Sequence, residues 1–393
     1  MALVIDNRAT VKNEPGVHLL IVGVSQYVNL PDHDDIAREE TWFLNKLTSP
    51  ALSAFKIYQF LTANNALALP LKTARLLLSP SQLEVNNAPA LATAGAGRAN
   101  RAAFEADALD WREDAKTNPK DMTIFYFSGH GMQRGPDDGV LMLEDFLAPG
   151  GKLNKCFEVS DIKAGMAPSE TFPDIALTQF YFVDACMARE AVQTKFVSLT
   201  VPEVFSAELN VVDKRWAPII FSAVDGAVSL GLNGKPSHFS EALTLALERG
   251  AEEAVELDGN TVWPITPLTI KTAVDLYYRK HQLGDVKLGG IVGEPVIRYL
   301  PGPPDVDISV IVTPDALGTP PPCSVSLFDD NGVAVPACSP TLKTQFETTV
   351  KAGIYRISVD SAQLKASPYR SPSKFLTQKG PRPWLHNVTS LLK

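Results

Sequence analysis

Two short apolar runs in this 393-residue chain each end in a side chain that can do chemistry. Thr123–Phe127 (TIFYF) leads into Ser128-Gly129-His130-Gly131, and Phe180–Val183 (FYFV) leads into Asp184-Ala185-Cys186. A thiol is a poor nucleophile until it loses its proton. An imidazole beside it lowers the thiol pKa and can later protonate a leaving group. Glycines on both sides of His130 allow a tight turn and leave room for an approaching backbone. The backbone N–H groups of Gly131 and Cys186 would then be candidates to face a developing oxyanion. A cysteine alone at a strand end is usually a small buried hydrophobe, and a lone histidine a structural residue. The pairing of the two, each after a buried-strand signal and each flanked by small residues, points to nucleophilic catalysis.

That chemistry requires two strands to end side by side, and the first 300 residues carry the pattern that achieves this. His18–Val24 (HLLIVGV) is a nearly continuous apolar run, as in a central strand buried on both faces. Ala74–Leu78, Thr123–Phe127, Phe180–Val183 and Pro218–Ala223 read as further strands, and Pro295–Leu300 as an outer one. Helical spacing is found over Ile36–Leu47, Arg98–Lys116 with Asn100 as N-cap, Ser240–Glu248 and Leu268–His281. Alternation of this kind predicts an α/β fold, a mainly parallel sheet with helices on both faces, and ligands bind beyond the carboxyl ends of such strands. The 56-residue gap between His130 and Cys186 is long enough for a crossover to the neighbouring parallel strand.

Apolar residues are 45% of the chain and charged residues 20%, enough for a packed core and too apolar for global disorder. The net charge of −8 argues against a nucleic-acid partner bound by neutralising phosphates. No apolar run approaches the roughly 18 residues a membrane span needs, and MALVIDNRAT does not read as a secretory signal. Four cysteines are too few for a disulfide scaffold, so a cytoplasmic setting is expected. YLPGPPDVD (299–307) marks a boundary, with a Pro/Gly linker at 301–304. Beyond it, short β-type segments separated by DDNG and KAG predict a small β-sandwich-like, Ig-like module over 305–360. Residues 361–393 form a tail with six basic residues, no acidic ones and four prolines, read as a solvated or loosely docked extension.

FYFSGHG followed by YFVDAC resembles the caspase-like cysteine peptidases, the clan of caspases, metacaspases and their bacterial relatives. The resemblance extends over about residues 17–300 through HLLIVGVSQY, RANRAAFEADALDW, GVLMLEDF, FSAVDG and HFSEALTLAL. It implies a six-stranded caspase-type sheet and a cysteine endopeptidase with His130 and Cys186 as catalytic dyad and Gly131 as the oxyanion glycine. Met187 departs from the family, where caspases have Arg and many metacaspases His. Asp184 stands where metacaspases carry Asp and caspases Gln. A carboxylate there would pair with a guanidinium or ammonium, so protein or peptide substrates with Arg or Lys at P1 are expected.

The family's S1 pocket also draws on the loops after the first and fifth strands, which here offer Asp32, Asp34 and Asp35, and then Asp225. Asp34 and Asp225 join Asp184 as S1 candidates; the alternative is that these loop acids are solvated and Asp184 caps a turn. Arg189, Lys195, Lys214 and Arg215 are candidate self-cleavage points. No cofactor and no metal is expected, although calcium activation occurs in the resemblance family; His33, one histidine among loop carboxylates, does not define a metal site. Cys156 reads as structural; Cys323 and Cys338 would face each other across a hairpin, where the alternatives are a cross-strand disulfide and, favoured in a reducing compartment, free thiols. A regulatory protein partner for the C-terminal module, and a role as an effector in bacterial defence or cell death, are implied by resemblance only. Two alternatives remain open at this level: an inactive caspase-like scaffold, and a peptide ligase using the same dyad.

Overall fold

A computed structural model describes residues 2–36, 38–63, 66–135, 138–149, 153–185, 200–206, 208, 211–223, 232–311, 323–329, 331–335, 345–361, 374–377 and 384–387. The strands are β1 (Leu3–Asp6), β2 (Val17–Val24), β3 (Leu71–Ser79), β4 (Met122–Gly129), β5 (Gly131–Gly135), β6 (Asp138–Met142), β7 (Cys156–Glu158), β8 (Thr178–Ala185), β9 (Ala217–Phe221), β10 (Val255–Leu257), β11 (Asn260–Ile265), β12 (Lys287–Ile291) and β13 (Arg298–Leu300). The principal sheet has seven strands in the order β1-β3-β2-β4-β8-β9-β12. The five central strands pair in parallel, and β1 and β12 close the edges antiparallel. Every residue of β2 and β4 is buried, as continuous apolar runs require when both sheet faces are covered.

The sheet has one strand more than the six expected, and its outer edge is built differently. The edge strand is KLGGI, while Arg298–Leu300 joins β10 and β11 in a separate three-stranded sheet. Two glycines hid β12 from a reading based on β-propensity. Gly290 is needed there: its φ is +80°, and a Cβ would lie 2.3 Å from the carbonyl oxygen of Ala217 on β9.

Helix Arg101–Ala115 starts where expected, with the Asn100 side chain accepting from the Ala103 N–H at 3.0 Å. It buries Phe104, Ala108 and Trp111, and the Trp111 indole donates to the His18 carbonyl on β2 at 3.1 Å. The helix expected over Ile36–Leu47 does not form. That segment holds only a 3-10 turn at Glu39–Thr41, and Trp42 and Phe43 follow with left-handed φ of 60° and 57°. Its helical spacing is overridden by tertiary contacts: Trp42 packs edge-on against Phe146, with ring centroids 5.2 Å apart. The helix that follows in the chain is Pro50–Thr62, opened by a proline at its first position.

The chain divides into two compact units. The first comprises residues 1–244 and 277–298, the second 245–276 and 299–393. The first contains the principal sheet and a small β5-β6-β7 sheet. The second contains two three-stranded sheets after the Pro/Gly boundary. One joins β14 (Asp305–Ile311), β16 (Gln345–Lys351) and β19 (Trp384–Asn387). The other joins β15 (Cys323–Phe328), β17 (Ile354–Ser361) and β18 (Lys374–Thr377). Two stretches of the basic tail thus pair as strands, β18 with β17 and β19 with β14.

Trp111→Ala is expected to lower the unfolding free energy by about 3–5 kcal/mol, because a fully buried indole leaves a cavity between helix and sheet. Urea denaturation measures it; a loss below about 1 kcal/mol would contradict this packing.

Candidate active site

Strands β4 and β8 are hydrogen-bonded neighbours in parallel, and their register places Ser128 opposite Asp184 and Gly129 opposite Ala185. The next residues along the two strands are His130 and Cys186. Cys186 lies outside the described residues, as do Asp225, Arg189, Lys195 and Cys338. What the structure supplies is the address: the chain passes into position 186 from a residue paired with the one that precedes His130.

His130 is held from three directions. Its backbone N–H donates to the Tyr27 hydroxyl at 2.7 Å, and its carbonyl accepts from the Met142 N–H at 3.0 Å. Its ring lies tilted on the Tyr27 ring, with centroids 4.8 Å apart, and its Nε2 is 2.7 Å from the Asn45 carbonyl oxygen. A carbonyl only accepts, so Nε2 carries the proton and Nδ1 is the basic nitrogen of the neutral ring. His130 is 9% exposed. Burial pushes its pKa down to about 4, opposed by the Asn45 carbonyl. The ring is therefore neutral at pH 7, as a general base must be. Gly129 makes the approach possible: a Cβ there would sit 2.8 Å from the Tyr27 hydroxyl.

The loop after β2 supplies both Tyr27 and Asn45. Its base is closed by the Leu47 N–H to the Ser25 carbonyl at 2.8 Å and the Val28 N–H to the Glu144 carbonyl at 2.9 Å. The Asn45 side-chain amide donates to the Asp35 carbonyl at 2.7 Å and to that of His33 at 3.2 Å. Lys46 pairs with Asp32 at 2.7 Å, and the Asp35 carboxylate accepts from the Asp32 N–H at 3.2 Å. Two of the three loop acids thus brace the segment that carries Asn45. Asp34, between them, is exposed.

Asp184 is 3% exposed. Its carboxylate accepts from the hydroxyls of Tyr126 at 3.1 Å, Ser128 at 3.0 Å and Ser237 at 2.5 Å. Burial, with Asp184 beside it, pushes the Tyr126 phenol far above its ordinary pKa, so it remains a donor. Gly131 opens β5 opposite Leu141. Of the described self-cleavage candidates, Lys214 is exposed. Arg215 is buried, with Nη1 donating to Lys163 O at 2.5 Å and Gln179 Oε1 at 2.9 Å and Nε to Asp213 at 2.9 Å. Cys156 is buried and its thiol is pushed up by desolvation, which fits an inert residue. The His33 ring meets the Lys46 carbonyl at 3.2 Å, and among the described residues no three His, Cys, Asp or Glu side chains gather as a metal site.

Residues 96–260, which include His130, Asp184 and Cys186, match the family model described as the caspase domain. That stretch of the chain is caspase-like. A relative in Sinorhizobium fredii, "Uncharacterized protein y4kE", is 28% identical over 141 residues, which span 35% of this chain and 38% of that protein. The crystal structure of caspase-1 from Spodoptera frugiperda aligns over 74% of this chain and 93% of its own, with 12% identity and a TM-score of 0.41. No described helix is long and apolar enough to cross a membrane. Around His130 and Asp184, the contacts of Tyr27, Asn45, Tyr126 and Ser237 had no signal in the sequence. Asn45 acts through its backbone carbonyl, which no residue type advertises. Tyr27 ends the HLLIVGVSQY segment and had a position but no assigned role.

With the folded pKa near 4 and the unfolded value near 6.5, protonation of His130 favours the unfolded chain. Stability from this group is present above about pH 6.5, falls as pH drops towards 4, and changes no further below that; the loss is about 3 kcal/mol. Histidine-selective NMR should find the His130 ring neutral, with the proton on Nε2, down to about pH 4. Denaturation of His130→Asn should lack this part of the acid loss. A ring that titrates near 6.5 would contradict the described environment.

Proposed function

We propose that the chain is a cysteine endopeptidase that cleaves after basic residues. The observation that carries this is the β4–β8 register, with His130 following Gly129 and position 186 following Ala185. In the proposed reaction, Nδ1 of His130 takes the Cys186 thiol proton while Nε2–H remains on the Asn45 carbonyl. The thiolate attacks the peptide carbonyl, and the N–H groups of Gly131 and Cys186 are the candidate oxyanion donors. The imidazolium returns its proton to the departing amine, leaving a thioester. Water, deprotonated by the same ring, hydrolyses it and restores the thiol. The Asn45 carbonyl holds the ring in one tautomer through both transfers, the service a carboxylate gives in a serine triad.

Asp184 supplies the acid for the P1 side chain, with Asp225 and Asp34 as further S1 candidates. The match to the caspase-domain model and the burial of Asp184 beside the histidine strand support this assignment. Under this specificity, Arg189, Lys195, Lys214 and Arg215 are the self-cleavage candidates, and of the two described ones Lys214 is exposed. Arg215 is open to cleavage only after its buried hydrogen bonds are broken. The β-rich C-terminal region is the candidate docking part for a regulatory partner.

The purified chain is expected to cleave peptides with Arg or Lys at P1 and not those with Asp. Cys186→Ala and His130→Ala should each lose about three or more orders of magnitude in kcat/KM. Cleavage by Cys186→Ala at the parent rate contradicts the proposal.

A further inference from the structure

The ladder between β5 and β6 is interrupted at its first pair. Gly131 lies opposite Leu141, so His130 and Met142 are the next two residues to meet. A hydrogen-bonded antiparallel pair exchanges two bonds, each N–H donating to the other's carbonyl. One of the two is made directly, from the Met142 N–H to the His130 carbonyl at 3.0 Å. The other is interrupted by a side chain. The His130 N–H donates to the Tyr27 hydroxyl at 2.7 Å, and that hydroxyl donates to the Met142 carbonyl at 3.3 Å. The phenol thus stands between two backbone groups that would otherwise meet. Tyr27 is fully buried, and its ring lies on that of His130. Gly129 leaves room for the oxygen, since a Cβ there would lie 2.8 Å from it.

Resting on the role of His130 as base proposed above, we infer that Tyr27 is a positioning residue for the reaction: its hydroxyl wedges open the pair at His130 and so fixes the backbone from which the ring reaches the Asn45 carbonyl. The physical reason is the cost of an unpaired buried amide. Without the hydroxyl, the His130 N–H and the Met142 carbonyl lose their intermediary, and closing on each other satisfies both. That closure draws the His130 backbone towards β6 and carries its ring off the Asn45 carbonyl, which lies 2.7 Å from Nε2 while the pair is open. Tyr27 and Asn45 stand on the same loop, so one segment turns the backbone and receives the ring. Tyr27, being buried, does this without touching substrate.

The test compares the full chain with Tyr27→Phe, which keeps the ring packing and removes the oxygen. Cleavage of an Arg or Lys peptide should lose about tenfold or more in kcat, with KM within about twofold of the parent. In histidine-selective NMR, the Nε2–H proton of His130, protected in the parent by Asn45, should exchange about tenfold or more faster, while the amides of β2 keep the parent's protection. Gly129→Ala, whose methyl displaces the hydroxyl, should do the same, and it decides the matter if Tyr27→Phe does not fold. A folded Tyr27→Phe that keeps the parent kcat overturns the inference. So does one that loses rate with its Nε2–H still protected as in the parent. If the parent cleaves no peptide, the protease reading fails by itself. The Nε2–H proton still reports on the wedge in that case, and unchanged protection in the variant overturns it as well.

Discussion

The site depends on the parallel pairing of β4 with β8. Those two strands are buried and apolar almost end to end, so one-residue slippage would exchange the sheet faces on which their side chains are packed. Because the register is fixed by the core, the positions where the strands emerge are fixed too. Gly129 and Ala185 lie opposite each other, and two residues more than fifty apart along the chain leave the sheet as neighbours. The chemistry proposed here draws on this register: His130 follows Gly129, and the chain passes into position 186 from Ala185.

Fixing strand ends does not fix a ring nitrogen. That is the work of the loop between β2 and helix Pro50–Thr62, which lays Tyr27 against His130 and brings the Asn45 carbonyl to Nε2. The same loop contains consecutive left-handed residues, Trp42 and Phe43, a conformation that bulky side chains adopt only when their surroundings impose it. Trp42 against Phe146, Lys46 with Asp32 and the Asn45 amide on two carbonyls are the contacts that impose it. Burial completes the arrangement by keeping the ring neutral. A desolvated imidazole cannot easily hold a proton of its own, but it can accept one when a thiolate forms beside it and offsets the charge.

Much of this was legible in the sequence, and the limits have physical causes. HLLIVGV, TIFYF and FYFV announced the central strands because strands buried on both faces must be continuously apolar. The SGHG and DAC segments stand at the carboxyl ends of β4 and β8, as the sequence pattern implied, with Cys186 itself outside the described residues. The loop before Asn45 misled, since Ile36, Phe43, Leu44 and Leu47 have helical spacing. Yet in the fold Ile36 and Phe43 are exposed and the backbone is turned to serve the histidine. The edge strand β12 was obscured by Gly289 and Gly290, the second of which is required because a side chain at 290 would strike β9. Ser237, remote in sequence from Asp184, had no local signal. Its role arises only where its helix meets the sheet.

The most direct test of the central claim is chemical. A peptide electrophile with lysine or arginine at P1, incubated with the full chain and followed by peptide mass mapping, reads out the meeting of nucleophile, base and acidic pocket together. The account predicts one adduct, on Cys186, abolished by His130→Ala and absent with an aspartyl electrophile. An adduct on another cysteine, or labelling of Cys186 indifferent to His130, would contradict it.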